Sequence, residues 1–300
     1  MNFFAVVSVA VAAAVGGSWQ AGPPLPVPRT EVAAAVAGGE IVVAGGYLAD
    51  GTRTARVDLY DPAHGTWRDG PPLPRPLNHA AAASLRGHVV IAGGYARLGT
   101  PTTTAVRLDG SAWRRLAPLP WPRAAAAAAT LNGVLYVVGG VTEGGLARSA
   151  LRYDAGRNRW VPIPGPTPRQ HLAAAVARGR IYAIAGRIFG ADTNVDTVES
   201  WAPGEKHWRK EQPLPEPRGG TGAATVDGVI VSVGSEAPQG TSGAVYARDA
   251  DTGSWSRLPD LPTPRHGLGV VAFGRRVIVI GGGPQPGLTV TGADESLDLS

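Results

Sequence analysis

Five arginines stand directly after a proline at matching points along the chain: Arg29, Arg123, Arg169, Arg218 and Arg265, with Leu77 at the sixth such point. A guanidinium is always charged, and its planar fork holds two oxygens of a carboxylate or phosphate at once. A ring of five would select an anion. Two residues further on come Glu31, His79, Ala125, His171, Gly220 and Gly267. Carboxylates and imidazoles are the groups that pass protons in general acid–base catalysis, so Glu31 with His79 or His171 is the candidate catalytic set. Asn78, Gln170 and His266 lie beside these positions, and Tyr47, Tyr95 and Arg187 follow glycines later in their units. Two tyrosines can offer a sugar ring a flat face and a hydroxyl; packing against a neighbouring loop is the alternative. The candidate ligand-binding set is therefore Arg29, Tyr47, Asn78, Tyr95, Arg123, Arg169, Gln170, Arg187, Arg218, Arg265 and His266. The polar positions concentrate on units one, two and four, with unit five almost bare, which favours a ligand seated off-centre.

Elements that could hold such rings must be short and extended. Glycine and proline together, 42 and 27 of 300 residues, rule out long helices, because an interior proline costs a helix about 3 kcal/mol. Eight tryptophans and many aliphatic runs rule out a disordered chain. The absence of cysteine removes disulfides, cysteine-based metal sites and thiol nucleophiles together. The net charge of +5 is spread without any basic run, so no nucleic-acid tail is expected. Residues 3–15 form an apolar run too short to span a bilayer, which takes about 20 residues. The run reads either as the centre of a secretory signal, without the usual positive start, or as a buried strand, and the protein is compatible with export or with the cytoplasm. No membrane span, nucleic-acid partner, cofactor or metal is expected, and the chain is expected to be a monomer.

The strongest signal is an internal repeat. Trp19, Trp67, Trp113, Trp160, Trp208 and Trp255 are spaced by 48, 46, 47, 48 and 47 residues. Each is followed by a proline-rich phrase, as in GPPLPVPRT or LPDLPTPRH, then by an apolar segment, a two-residue turn such as Asn132-Gly133, and a second apolar segment. The second segments end in Gly45-Gly46, Gly93-Gly94, Gly139-Gly140, Ala185-Gly186, Val233-Gly234 and Gly281-Gly282, and the residues next in line are Tyr47, Tyr95, Val141, Arg187, Ser235 and Gly283. A third segment often carrying Tyr-Asp leads to the next tryptophan. Each unit thus predicts four antiparallel strands, and one such sheet cannot cover both of its faces unless neighbours stack on it.

The double glycine, the Tyr-Asp pair, the spaced tryptophan and the Pro-Arg resemble the kelch repeat over about residues 17–300. The resemblance implies an all-β, six-bladed β-propeller of four-stranded antiparallel blades. The expected layout is an apolar leader or signal at 1–16, then a propeller over 17–300. Its blades fall at about 30–70, 77–116, 123–163, 170–211, 219–258 and 266–300, with a closing strand at 17–22 completing the last. The same resemblance implies that the first strand of each blade lines the central channel. It also offers a second role for the arginines, as ties between blades.

Function is expected to follow the same resemblance. The leading expectation is a kelch-type binding module that recognises an acidic protein segment or an anionic carbohydrate on an arginine-rich rim. The alternatives are a cofactor-free sugar-acid mutarotase or epimerase, resembling bacterial sialic-acid mutarotases, and a purely structural or inter-subunit role. Galactose oxidase chemistry, which depends on a cysteine-linked tyrosine, is excluded. The ligand run of the iron-dependent specifier proteins has no match, and His79, His171 and His266, coming from alternate blades, are not expected to share a metal.

Overall fold

The computed structural model describes residues 17–97, 99–249 and 251–299; the apolar leader lies outside them. Six four-stranded antiparallel sheets form the blades of a propeller. In blade one the strands Ala33–Ala37, Glu40–Ala44, Val57–Asp61 and Thr66–Asp69 pair in chain order. The first strands neighbour one another around the ring and so line the channel. They are built mainly from alanine, with glycine and valine, small enough for six strands to converge. The second strands, such as Glu40–Ala44, are buried on both sides, the environment that a short, continuous apolar run anticipates. Between blades the cores merge: Val42 and Val57 of blade one pack in one cluster with Val89 and Ile91 of blade two. Among the described residues the only helical element is the 3-10 turn Ala191–Thr193, and no helix is long and apolar enough to cross a membrane.

The tryptophan period has a direct physical cause. Each indole N–H donates to a backbone carbonyl in the linker that enters its own blade: Trp67 to Pro23, Trp113 to Pro71, Trp160 to Ala117, Trp208 to Pro164 and Trp255 to Gln212, at 2.8–3.1 Å. The outermost strand is thereby latched to the chain arriving from the previous blade, and a packed indole gains the partner that its N–H requires. Trp19 makes the sixth latch, to Pro259 at 2.9 Å. Its strand, Trp19–Ala21, pairs antiparallel with Asp294–Asp298, so the beginning of the described chain closes blade six as the sequence anticipates.

The paired glycines answer a different demand. A Cβ on Gly45 would lie 2.3 Å from the Leu77 carbonyl of the next blade, and one on Gly46 would lie 2.5 Å from the Thr30 carbonyl, both at positive φ. Blade five departs from the expected register. There Ser235 N–H donates to Arg265, as Gly46 N–H does to Leu77. The pair is thus Gly234-Ser235 rather than Val233-Gly234, and the residue matching Tyr47 is Glu236 rather than Ser235.

A belt of backbone hydrogen bonds completes the ring. His79 N–H donates to Glu31, Ala125 to His79, His171 to Ala125, Gly220 to His171, Gly267 to Gly220 and Val32 to Gly267, at 2.9–3.3 Å. One residue from each of blades two to six, and the Glu31–Val32 pair from blade one, thus encircle the axis. Glu31, His79, Ala125 and His171 on this belt all sit at φ between 50° and 54°, a left-handed conformation that costs an L-residue roughly 1–2 kcal/mol.

Candidate functional site

The arginines expected on the rim are instead among the most buried side chains of the molecule. Arg29, Arg123, Arg169, Arg218 and Arg265 are each 0–1% exposed. Their guanidinium groups point into their own blades. Arg29 Nη1 donates to Asp58 at 2.6 Å, and its other donors reach the Gly45, Val43 and Val27 carbonyls. Arg169 pairs with Glu199 and Arg265 with Glu295 in the same way. The three acids occupy one position of the third strand, facing Val43, Ala183 and Val279 across the sheet. Arg218 faces Tyr246 there, 4.8 Å from the ring centroid, and draws on Glu216 of its linker at 2.7 Å. In blade two, where Leu77 replaces the arginine, the position holds Val106. The ring of five is therefore mainly an internal framework, contrary to its expected part in recognition, because buried charges persist only where partners meet them.

Blade three is the exception. Its third-strand position holds Leu151, opposite Val137, and among the described residues no acid pairs with Arg123. Among the described residues it donates only to the Gly139 and Ser149 carbonyls, and its buried Nε has no partner there. Burial without a counter-charge pulls its pKa down to about 10. Beside it opens a groove of about 400 Å³ bordered by Trp121, Glu143, Leu146 and Arg148. Trp121 is 47% exposed.

The remaining expected residues gather at the mouth of the channel. Glu31 Oε2 lies 3.2 Å from His79 Nε2, and Oε1 lies 3.4 Å from His266 Nδ1. Asn78 Oδ1 accepts from His79 Nδ1 at 2.5 Å, while its amide nitrogen donates to the Tyr95 carbonyl. The His79 and His171 rings meet edge to face with centroids 4.9 Å apart, and Tyr47 and Tyr95 flank His79 in the same manner. Tyr47 is buried and Tyr95 half-buried, so the pair packs around the histidine rather than offering an open platform. Gln170 donates its amide to the Phe189 carbonyl. Arg187 Nη1 donates to Glu236 at 2.6 Å, and Glu236 lies 3.5 Å from His266 Nε2.

Glu236 is the member that the sequence reading missed, because blade five was counted one residue early. The glycines of blades five and six have a purpose in this cluster: a Cβ at Gly220 would stand 3.1 Å from the His266 Cβ, and one at Gly283 would stand 2.7 Å from its Nε2. The bare positions make room for His266. Burial alone would raise the Glu31 carboxyl, but the surrounding imidazoles hold it well below the usual range. Burial pushes His79 down and His171 further down. It opposes charge on His266 as well, yet Glu31 and Glu236 raise that imidazole.

The loops around the mouth carry the large apolar side chains that are exposed among the described residues: Trp121 in a linker, Ile188 and Phe189 on blade four, and Leu288 on blade six. Phe189 is 81% exposed. Their common face follows from the short bridges Thr30–Tyr47, Ala124–Val141, Gln170–Arg187 and His266–Gly283, which tie each linker to the loop after the second strand. Exposed or half-exposed Arg53, Arg75, Arg97 and Arg148 lie on the same loops and linkers, with no ion pair among the described residues.

A family model described as the KLHDC2/KLHL20/DRC7 Kelch-repeats domain matches residues 109–283, and a Kelch motif matches residues 28–74. The chain is similar to the Kelch-like protein terF of Aspergillus terreus, 34% identical over 111 residues, which are 35% of this chain and 24% of that protein. It is 30% identical over 88 residues to Kelch-like protein 25 of Xenopus tropicalis, covering 29% of this chain and 15% of the relative. The matches thus span a quarter or less of these relatives. A solved structure titled "Structure of YjhT" superposes with a TM-score of 0.78 over 91% of this chain and 95% of that one, at 15% identity, a likeness of fold alone.

Proposed function

The chain belongs to the kelch-repeat family, and from that premise we propose that it is a binding module whose loop face takes an acidic segment of a partner protein, one carboxylate seated beside Arg123. The observation that carries this reading is the missing acid. Three blades satisfy the buried arginine with a carboxylate from the same strand position, and blade three leaves Arg123 without one next to an open groove. An incoming carboxylate would supply the charge-assisted bond that Asp58, Glu199 and Glu295 supply elsewhere. Trp121 adds an exposed aromatic face at the same place, and tryptophan and arginine are the side chains on which interface energy concentrates. Arg148 adds a second cation, partly offset by Glu143 at the groove. The sugar-acid isomerase alternative draws support only from the residue types Glu31 and His79, and it stands behind the binding reading.

The test is fluorescence polarisation with labelled Asp/Glu-rich peptides, compared with their Asn/Gln counterparts and competed with glucuronate. The competitor separates an acidic peptide from a sugar acid, which carries the same carboxylate. Arg123→Leu is the informative variant, because blade two already folds with Leu77 at that position. Affinity is expected to fall at least about tenfold, in line with the loss of one charge-assisted bond of roughly 1.5–3 kcal/mol. Unchanged affinity in Arg123→Leu would remove the groove from the proposal.

A further inference from the structure

The channel mouth holds a second constellation that the binding reading does not use. One donor atom each from Glu31, His79 and His171 lies within 4.8 Å of the other two, although the residues come from blades one, two and four. We propose that these three side chains form a binding site for one divalent first-row transition-metal ion of the zinc type, set on the propeller axis.

Four features of the geometry converge on this assignment. Two imidazoles and one carboxylate are a recurrent donor set for zinc and its neighbours, and they leave positions open for exchangeable ligands. His79 is oriented as a metal-bound imidazole usually is. Asn78 Oδ1 accepts from Nδ1, so a proton resides there, and Nε2 faces the Glu31 carboxylate at 3.2 Å as the nitrogen free to take a metal once its own proton is released. In the metal-free protein a proton holds these two atoms together, and a metal ion bound there takes its place. Neither ring nitrogen of His171 hydrogen-bonds to a protein group among the described residues, and its Nδ1 is buried. Finally, all three residues occupy left-handed backbone positions that Gly220 and Gly267 fill on blades five and six. A side chain is kept there at a conformational cost, a pattern that clusters at functional sites. The carboxylate is steadied from its other side by His266, 3.4 Å from Oε1. Arg187, the nearby guanidinium, is neutralised by Glu236.

The experiment uses the full chain, stripped with chelator, titrated with ZnCl2 by calorimetry and with Co²⁺ by visible absorption. One saturable equivalent is expected, with cobalt bands characteristic of nitrogen and oxygen donors at low symmetry. His171→Ala, which gives up no protein hydrogen bond, is expected to lose at least about 100-fold in affinity while keeping its circular dichroism and melting temperature. His64→Ala removes the exposed His64–Asp61 pair, the competing surface site, and is expected to change nothing. Should His171→Ala fail to fold, Ala125→His serves instead. It keeps all three donors and places a fourth on the same backbone belt, so tighter binding is expected. No saturable uptake by the wild type overturns the proposal. So does uptake that His64→Ala abolishes and His171→Ala leaves intact, or affinity that Ala125→His leaves unchanged.

Discussion

Two concentric rings lie two residues apart in each repeat, and they do opposite work. The outer ring is Arg29, Arg123, Arg169, Arg218 and Arg265; the inner one is Glu31, His79, Ala125, His171, Gly220 and Gly267. The arginines carry the more conspicuous charges, yet they face into their blades and direct most of their donors to carbonyls and acids there. The inner residues face the channel, and their side chains meet one another across blades. Along a strand successive side chains alternate between faces, but a two-residue step would keep the same face. What separates the rings is the left-handed turn at the inner position, which swings the side chain to the axis. Residue type alone therefore does not tell which ring meets a ligand.

The largest effect that would break this contrast lies in the outer ring. Glu199→Ala leaves the Arg169 charge buried and is expected to cost about 3–5 kcal/mol in chemical denaturation. The double change Arg169→Leu with Glu199→Val imitates blade two and is expected to recover most of that loss. A double variant as unstable as Glu199→Ala would contradict the framework reading.

A smaller effect concerns Asp294, beside the Arg265–Glu295 pair, whose buried Oδ2 has no hydrogen-bond partner among the described residues. Burial pushes its carboxyl up to about 7. The fold then keeps a proton that the unfolded chain releases from about pH 4, so stability falls as pH rises through the window between about 4 and 7. The penalty is complete above it and amounts to at most about 4 kcal/mol. Asp294→Asn is expected to melt higher than the wild type at pH 8, with the gap narrowing at pH 5. A gap independent of pH would mean that the carboxyl titrates normally.

The smallest effect tests the inner ring. Ala125 occupies a left-handed position without any polar contact to justify it. Ala125→Gly is expected to stabilise by about 0.5–1 kcal/mol, the relief of strain less the added freedom of the unfolded chain. A loss of stability would show that the methyl packing outweighs the backbone strain.

The architecture was legible in the sequence because its causes are local and repeated. Every tryptophan of the repeat series answers one carbonyl 42–44 residues earlier, apart from Trp19, which reaches Pro259 across the closure. The fate of the arginines was encoded as well, though less openly. An acid stands 29 or 30 residues after Arg29, Arg169 and Arg265, and none stands at that strand position after Arg123. Reading the two positions together would have set Arg123 and Arg218 apart, and Glu216, two residues before Arg218, then leaves Arg123 as the one without an acid. Glu236 was hidden by a glycine pair that blade five writes as Gly-Ser. The meeting of His79 with His171 depends on the narrowness of the channel, a distance across the ring that no spacing along the chain reports.

The closure through Trp19–Ala21 also bears on the order of folding. Blades one to five join strands that are near in sequence, so each can assemble as its own chain emerges. Blade six must recruit a three-residue strand from the far end of the described chain, held by three residue pairs and one indole bond. Closing so long a loop costs more conformational entropy than any hairpin within a blade, and contacts of such separation form slowly. The seam is therefore expected to be the last part of the ring to set, and amide exchange along Asp294–Asp298 is the measurement that reads whether the propeller is shut.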